Sequence, residues 1–419
     1  MSWAVIQLGS REHYAIPSAL AATGSLDVLV TDSWIPEAVE AVVRQLSRSL
    51  AGRRCSAIPD GLVRSRTIGR LLTDAGMKLG GTRGWNAILQ RNEWFQKWAA
   101  YEIACSEVPT VFSYSYTARL PFAAAKKRGA KCILGQIDPG PREVEVVREK
   151  TAAYRDLALP EENPPSEYWR LWSEEIELAD KVVVNSPWSA KLLAEEGVDA
   201  AKLVEIPLVY ALAESSGGSR QLADSNSLVT GHSVGRQGEL SPQTPVHVTG
   251  GSRRLRALFL GSVILRKGVG QLFDAIRMLK NEPVDFTFAG PIGVRIPADI
   301  SGMSNVRFLG PVDKATAERL YIESDVFLFP TLSDGFGLTQ LEALGHGLPV
   351  IASMNCGRVV GDRVNGLVLD EVTPLAIAEA IMELRRDREL LPKLKSNARV
   401  PDKCHPRHLT PALLELGKI

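Results

Sequence analysis

Short apolar runs alternate with longer stretches of mixed polarity along this chain. In the first half the runs are AVIQLG, LDVLVTD, TVFSYS, KCILGQ, KVVVNS and KLVEIP. In the second they are LRALFLGS, VDFTFAG, VRFLG, VFLFP, PVIAS and GLVL. Continuous short runs of this kind fit strands buried on both faces of a parallel sheet, and the stretches between them supply crossover helices. The pattern predicts an α/β chain with a parallel sheet in each half. Between the halves, residues 213–254 are rich in Ser, Gly, Gln and Thr and almost free of large apolar side chains. That stretch reads as a flexible linker or insertion, longer than most connections inside a compact domain. The expected organisation is a first domain over 1–212, a second over 255–395, and a tail over 396–419 that packs back on the first domain.

The segment SDVFLFPTLSDGFGLTQLEALGHGLPVIAS, from Ser324 to Ser353, predicts strand, glycine turn, helix and strand. Asp334 and Glu342 lie eight positions apart, one in the turn and one inside the helix. Gly335 and Gly337, on either side of Phe336, let the backbone approach a ligand closely. The N–H groups of Leu338, Thr339 and Gln340 open the helix, where unpaired donors and the helix dipole favour an anion. A turn leaving the carboxyl end of a parallel strand is also where ligands sit in open α/β sheets. A glycine turn and an acid near a helix start can serve local structure alone, but the flanking buried strands favour a ligand site. Upstream, LFLGSVILRKGVGQLFDAI predicts a strand, a turn and a helix beginning near Gly268, with Arg266 and Lys267 just before it. Glu323-Ser324-Asp325 has the look of an acidic metal motif, but it stands at the start of a strand, and no metal site is expected.

The 324–353 segment resembles the signature of the retaining glycosyltransferases of family 4. Those proteins have the GT-B fold, two Rossmann-like domains facing each other across a cleft. The family pattern is Glu, seven residues, Glu, with Gly-Phe-Gly after the first acid; here Asp334 replaces the first Glu and Glu342 is kept. The resemblance implies that Asp334 and the turn from Gly335 to Leu338 hold the donor sugar. It further implies that Glu342 binds the ribose, and that Lys267, with Arg266, meets the donor diphosphate. The second cation of the family is replaced by Ser262. In the first domain the resemblance rests mainly on IELADKVVVNSPWSAKLLAEEGVDAAKLVEIP. There the glycine turn after the first strand is reduced to Leu8-Gly9-Ser10, so Gly9 alone is carried over as a donor contact. His13 follows, read either as a cleft residue or as a surface histidine. The cleft histidine of many members is absent, and Gln136 and Asp138 stand after that strand instead. The family linker is usually shorter, which makes part of 213–254 an insertion.

Composition adds the compartment and one asymmetry. The chain has 419 residues, 45% of them hydrophobic, and a net charge of +1, as for a globular protein of two domains. Its five cysteines are scattered, with no metal-ligand spacing, and the N-terminus lacks the pattern of a secretion signal; a cytoplasmic protein is expected. Between Arg44 and Lys97 arginines gather with few acids, and Trp85, Trp94, Phe95 and Trp98 fall among them. Two readings stand: a solvated basic face over an aromatic core, or an interfacial surface placing the protein on the inner face of a membrane. No nucleic-acid-binding motif accompanies the charge.

Taken with the resemblance, the expected activity is metal-independent, retaining transfer of a sugar from a UDP or GDP sugar to a hydroxyl acceptor, in polysaccharide or glycolipid synthesis. The nucleotide sugar is substrate, and no cofactor is expected. The acceptor, a glycan or a lipid-linked molecule, would lie on the first domain. The alternative is a non-catalytic GT-B partner that binds nucleotide sugar or another transferase. It rests on Asp334, Ser262 and the missing histidine.

Overall fold

The computed structural model describes residues 2–46, 52–159, 163–210 and 254–418. The segment read as a linker, 213–254, lies outside these residues apart from Arg254.

Among the described residues thirteen strands form two sheets. In the first domain the strands are β1 Trp3–Gln7, β2 Leu26–Thr31, β3 Val63–Ser65, β4 Thr110–Tyr114, β5 Lys131–Gly135, β6 Lys181–Val184 and β7 Leu203–Glu205. They lie in the order β3-β2-β1-β4-β5-β6-β7, every pair parallel. In the second domain β8 Leu255–Leu260, β9 Val284–Ala289, β10 Val306–Phe308, β11 Val326–Phe329, β12 Val350–Ser353 and β13 Gly366–Leu369 lie in the order β10-β9-β8-β11-β12-β13. These pairs are parallel too. All twelve apolar runs of the sequence form strands. The strand that the pattern does not predict is β3, a short edge strand with one apolar residue, held by the register Leu29↔Val63.

Period-two alternation explains why the runs are apolar throughout. Trp3 and Val5 of β1 face one core with Tyr14, Leu20 and Phe112, while Ala4 and Ile6 face another with Phe95, Trp98 and Phe122. Helices cover both faces, so neither face of the strand meets water. The second sheet does the same. Ala257 and Phe259 of β8 pack beneath helices Val269–Met278 and Pro374–Arg386, and Leu258 packs with Leu341 and Leu344 of helix Leu338–Gly345.

In each sheet the strand order reverses once, between β1 and β4 and between β8 and β11. Connections leave such a point in opposite directions and open a crevice at the carboxyl ends. The two crevices are joined across the cleft. Tyr154, in the turn after helix Pro141–Lys150, lies against Gly270 and donates to Asp274 at 2.9 Å. Gln271 Nε2 donates to the Lys150 carbonyl at 3.0 Å, and the Arg295 N–H to that of Leu157 at 2.8 Å.

The last helix, Leu409–Lys418, returns to the first domain, where Leu409, Leu413 and Leu416 enter the core with Trp3, Leu20 and Ile206. Lys131 Nζ donates to the Gly417 carbonyl at 2.9 Å. Because Leu413 is fully buried, Leu413→Ala should destabilise the first domain by about 2–5 kcal/mol, read as a lower urea midpoint. An unchanged midpoint would mean that the helix is not part of that core.

Candidate functional site

The loops after β8 and β11 are tied to each other. The Arg266 carbonyl accepts from the Leu332 N–H at 2.9 Å and from Thr331 Oγ1 at 3.3 Å. This brings the Lys267 ammonium onto the Asp334 carboxylate, with Nζ 5.2 Å from the centre of the Phe329 ring. Burial, with the Arg266 charge beside it, pulls the Lys267 pKa down to about 7. Arg266 Nη1 donates to the Ser333 carbonyl at 3.0 Å and lies 3.4 Å from Glu143 Oε1, across the domain boundary.

The Asp334–Gly337 turn is locked from within the second domain. Asp334 Oδ1 accepts from the Phe336 N–H at 3.3 Å, and the Asp334 N–H donates to the Asn355 carbonyl at 3.0 Å. Phe336 is buried beneath Gly357, so its side chain anchors the turn and does not line the cleft. Gln340 Nε2 clips the turn to the next loop through the carbonyls of Phe336 (2.6 Å) and Gly357 (3.0 Å). Gly337 has φ +83°, and a Cβ there would stand 2.2 Å from the Phe329 ring. Only glycine fits, and the helix Leu338–Gly345 starts from this residue, leaving the first N–H groups, Leu338 and Thr339, without intrahelical partners.

The first domain closes over this turn. A Cβ on Gly335 would lie 2.6 Å from the Ile137 carbonyl oxygen. The Gly335 carbonyl accepts from Ser189 Oγ at 3.2 Å, and Ser333 Oγ from Trp188 Nε1 at 2.8 Å. Asp138 accepts from Tyr116 OH (2.8 Å), Gln136 Nε2 (3.0 Å) and the Gly140 N–H (2.9 Å). Gln136 Oε1 accepts from Trp172 Nε1 at 3.1 Å. Burial raises the Asp138 and Glu143 carboxyl pKa values, against the opposing pull of the donors and of Arg266. Glu175 sits behind this wall and accepts from the N–H groups of Tyr116 (2.6 Å), Ala118 (2.7 Å) and Arg119 (3.1 Å), fixing the loop that carries Tyr116.

The structure thus brings together Lys267, Arg266, Asp334, Gly335 and Asp138, with Gln136 just behind. Glu342 stands further along the helix, half-buried, and accepts from Tyr321 OH at 2.8 Å. Beyond the turn, Ser353, Met354, Gly357, Arg358 and Asp370 line a cavity of about 280 Å³ at the carboxyl ends of β12 and β13.

Two residues do not join this group. The Gly9 N–H points inward to Asp32 Oδ1 at 2.8 Å, and the Arg53 guanidinium fills the space beside its Cα. His13 is exposed, in a turn where Glu12, His13 and Tyr14 all have positive φ (49°, 53° and 63°). Conversely, sequence reasoning missed Glu143, Tyr116, Tyr321 and the Trp188–Ser189 pair. Glu143 had a signal: Gly140-Pro141 after β5 marks a helix start at a strand's carboxyl end.

Residues 254–387 match the family described as glycosyl transferases group 1. An uncharacterised glycosyltransferase of Methanocaldococcus jannaschii is 29% identical over 150 residues, which are 34% of this chain and 41% of that protein. The chain spans less than half the length of the curated relatives it matches. Among solved structures, the sucrose-phosphate synthase of Thermosynechococcus elongatus aligns over 100% of this chain and 98% of its own, with a TM-score of 0.63 and 17% identity. HepE of Anabaena in complex with UDP-glucose aligns over the whole of both chains, with a TM-score of 0.59 and 13% identity. At these identities the likeness establishes the fold, two Rossmann-like domains facing across a cleft, as the family resemblance implies.

The Asp334 carboxylate, paired with the Lys267 ammonium, favours its charged form. Asp334→Asn should therefore lower the Lys267 pKa, followed by NMR of the lysine side chain. A shift upward would contradict the pairing.

Proposed function

We propose that this chain, a GT-B protein whose residues 254–387 belong to the group 1 glycosyltransferases, transfers a sugar from a nucleoside diphosphate sugar to a hydroxyl, retaining the anomeric configuration. The observation that carries this reading is the meeting of Lys267, Arg266 and the Asp334–Gly337 turn at the β8/β11 switch point, with Glu143 and Asp138 directly across the cleft.

In this reading the diphosphate takes the place of the carboxylates now facing Lys267 and Arg266. These cations, fixed before the reaction, offset the charge that grows on the leaving group. Asp334 and the backbone of Gly335 and Gly337 position the sugar, and Glu342 holds the ribose. The nucleoside extends toward the cavity beside Ser353 and Arg358. The leaving diphosphate receives the proton of the attacking hydroxyl, so the reaction needs no histidine at Gln136 or Asp138 and no metal. The acceptor lies against the first domain, where Asp138 is pre-oriented by its three donors. Contacts such as Trp188–Ser333 exclude water from the donor and limit its hydrolysis. HepE was described with UDP and with UDP-glucose, which makes UDP the first nucleotide to test. A polysaccharide or glycolipid product suits a transferase of this kind.

Calorimetric titration should show UDP or GDP binding that Glu342→Ala weakens by about 1.5–3 kcal/mol, the worth of a hydrogen bond to a charged group. Donor hydrolysis by the wild type, unchanged by a chelator, would then separate an enzyme from a non-catalytic partner, which binds without turnover. Absence of binding by either nucleotide would defeat both.

Affinity should also depend on pH in a fixed direction. The diphosphate binds the charged form of Lys267, whose pKa in the free protein is about 7. For a nucleotide sugar, whose diphosphate charge is constant near neutrality, affinity is therefore full below that pH and falls as pH rises through it, while Lys267→Arg, charged throughout, should flatten the profile. A wild-type profile flat across neutral pH would remove Lys267 from the diphosphate site.

A further inference from the structure

Helix Thr67–Leu79 is built inside out. Its polar side chains face the protein: Arg70 Nη1 lies 2.9 Å from the buried carboxylate of Asp32, and Asp74 lies 3.2 Å from Arg91 Nη2. Met77 is buried, but most of its large apolar side chains face away. Ile68 is 75% exposed, Leu71 49%, Leu72 68% and Leu79 90%. Their spacing runs a stripe along the whole outer face, the stripe that a surface helix normally turns toward its core. The neighbouring helix, Glu37–Leu46, adds exposed Val39 and Val42. The starts of the two helices are pinned together, since Thr67 Oγ1 bonds both the N–H and the carbonyl of Trp34 at 3.1 Å, and Asp60 accepts from the Glu37 N–H at 2.9 Å.

Of the aromatic residues in and beside the Arg44–Lys97 stretch, Phe95 and Trp98 are buried in the first-domain core and Trp94 packs against it. Many of its arginines serve structure as well: Arg54 holds Glu37, Glu40 and Asp60, while Arg53 and Arg70 reach Asp32. The basic residues left over frame the stripe. Arg64 precedes the helix, Lys78 lies in its last turn and Arg83 follows; all three are exposed and have no acidic partner among the described residues. The acids nearby are engaged by arginines: Glu37, Glu40 and Asp60 by Arg54, Asp74 by Arg70 and Arg91, and Glu167, which lines a cavity with Arg83, lies 3.9 Å from Arg170. An apolar stripe framed by free cations and neutralised acids is complementary to an anionic lipid surface.

We infer that helix Thr67–Leu79 docks the first domain onto an anionic bilayer, lying in the interface with Ile68, Leu71, Leu72 and Leu79 among the acyl chains and Arg64, Lys78 and Arg83 on the headgroups. No described helix is long and apolar enough to cross a membrane. The docking would set the acceptor side of the cleft beside lipid, so that the acceptor is itself lipid-linked. That last step rests on the glycosyltransferase reading, whereas the docking does not.

The test uses the full chain and vesicles of phosphatidylcholine alone or mixed equally with phosphatidylglycerol. Sedimentation should show binding to the anionic vesicles, weakened by salt, and little to the neutral ones. Leu72→Glu combined with Leu79→Glu should weaken it about tenfold or more while UDP titration and thermal melting stay at wild-type values. A second variant, Lys78→Glu with Arg83→Glu, should lose the preference for anionic vesicles. Absence of vesicle binding, or binding untouched by either variant, would overturn the proposal. So would a dimer in light scattering that Leu72→Glu with Leu79→Glu disperses, because the stripe would then be covered by a second copy of the chain. Loss of UDP binding with vesicle binding intact would count against the transferase reading alone.

Discussion

Everything in the cleft depends on how closely two stretches of backbone approach at Gly335. The Ile137 carbonyl of the first domain lies where any side chain at that position would stand. Close approach there places Asp138 and Glu143 opposite Arg266 and Lys267, and lets Ser189 and Trp188 bond the turn. A second glycine, Gly337, meets the same demand inside the domain, against the Phe329 ring. The turn is therefore rigid below and free of side-chain bulk above, which is the condition for backbone N–H groups to reach a ligand. Phe336, between them, contributes through its burial under Gly357 and not through contact with the cleft.

The electrostatics follow from that approach. Two cations from one domain and carboxylates from both meet where burial makes unpaired charge costly. Lys267 and Asp334 form one pair and Arg266 and Glu143 another, so each cation of the closed cleft has a carboxylate partner. Burial and the adjacent guanidinium leave Lys267 with a pKa near neutrality, so its charge answers to whichever anion faces it. A diphosphate arriving there would replace one set of anionic partners by another without creating the charge from nothing. The reading of the site as a donor pocket draws its physical sense from this exchange.

The two domains divide the remaining work. The second carries the turn, the cations and the cavity near Ser353, all at carboxyl ends of one sheet. The first supplies the opposing wall, the contacts that hold the cleft closed, and a surface helix with its apolar face outward. Its core is completed by the chain's last helix, which crosses back through Leu409, Leu413 and Leu416. Strand β1 and helix Leu409–Lys418 thus share one core.

By itself the sequence determined the α/β class, the strands and the glycine turn. Buried parallel strands are continuously apolar, and the Gly-Phe-Gly run stands between two of them before a helix, so both signals are local. It also placed Lys267 and Arg266 before a helix, and Asp334 in the turn. What it could not determine was which residues those groups meet. Glu143 and Asp138 become partners of the site only through the packing of Gly335 on Ile137, almost two hundred positions away in the chain, a distance no local pattern spans. The resemblance carries Gly9 over as a donor contact, yet Asp32 and Arg53 claim it, because β2 and the loop beyond it converge there. Likewise, the arginines between 44 and 97 look alike in sequence. Tertiary structure separates those paired inward from the few left exposed, since pairing depends on which carboxylates the fold brings within reach.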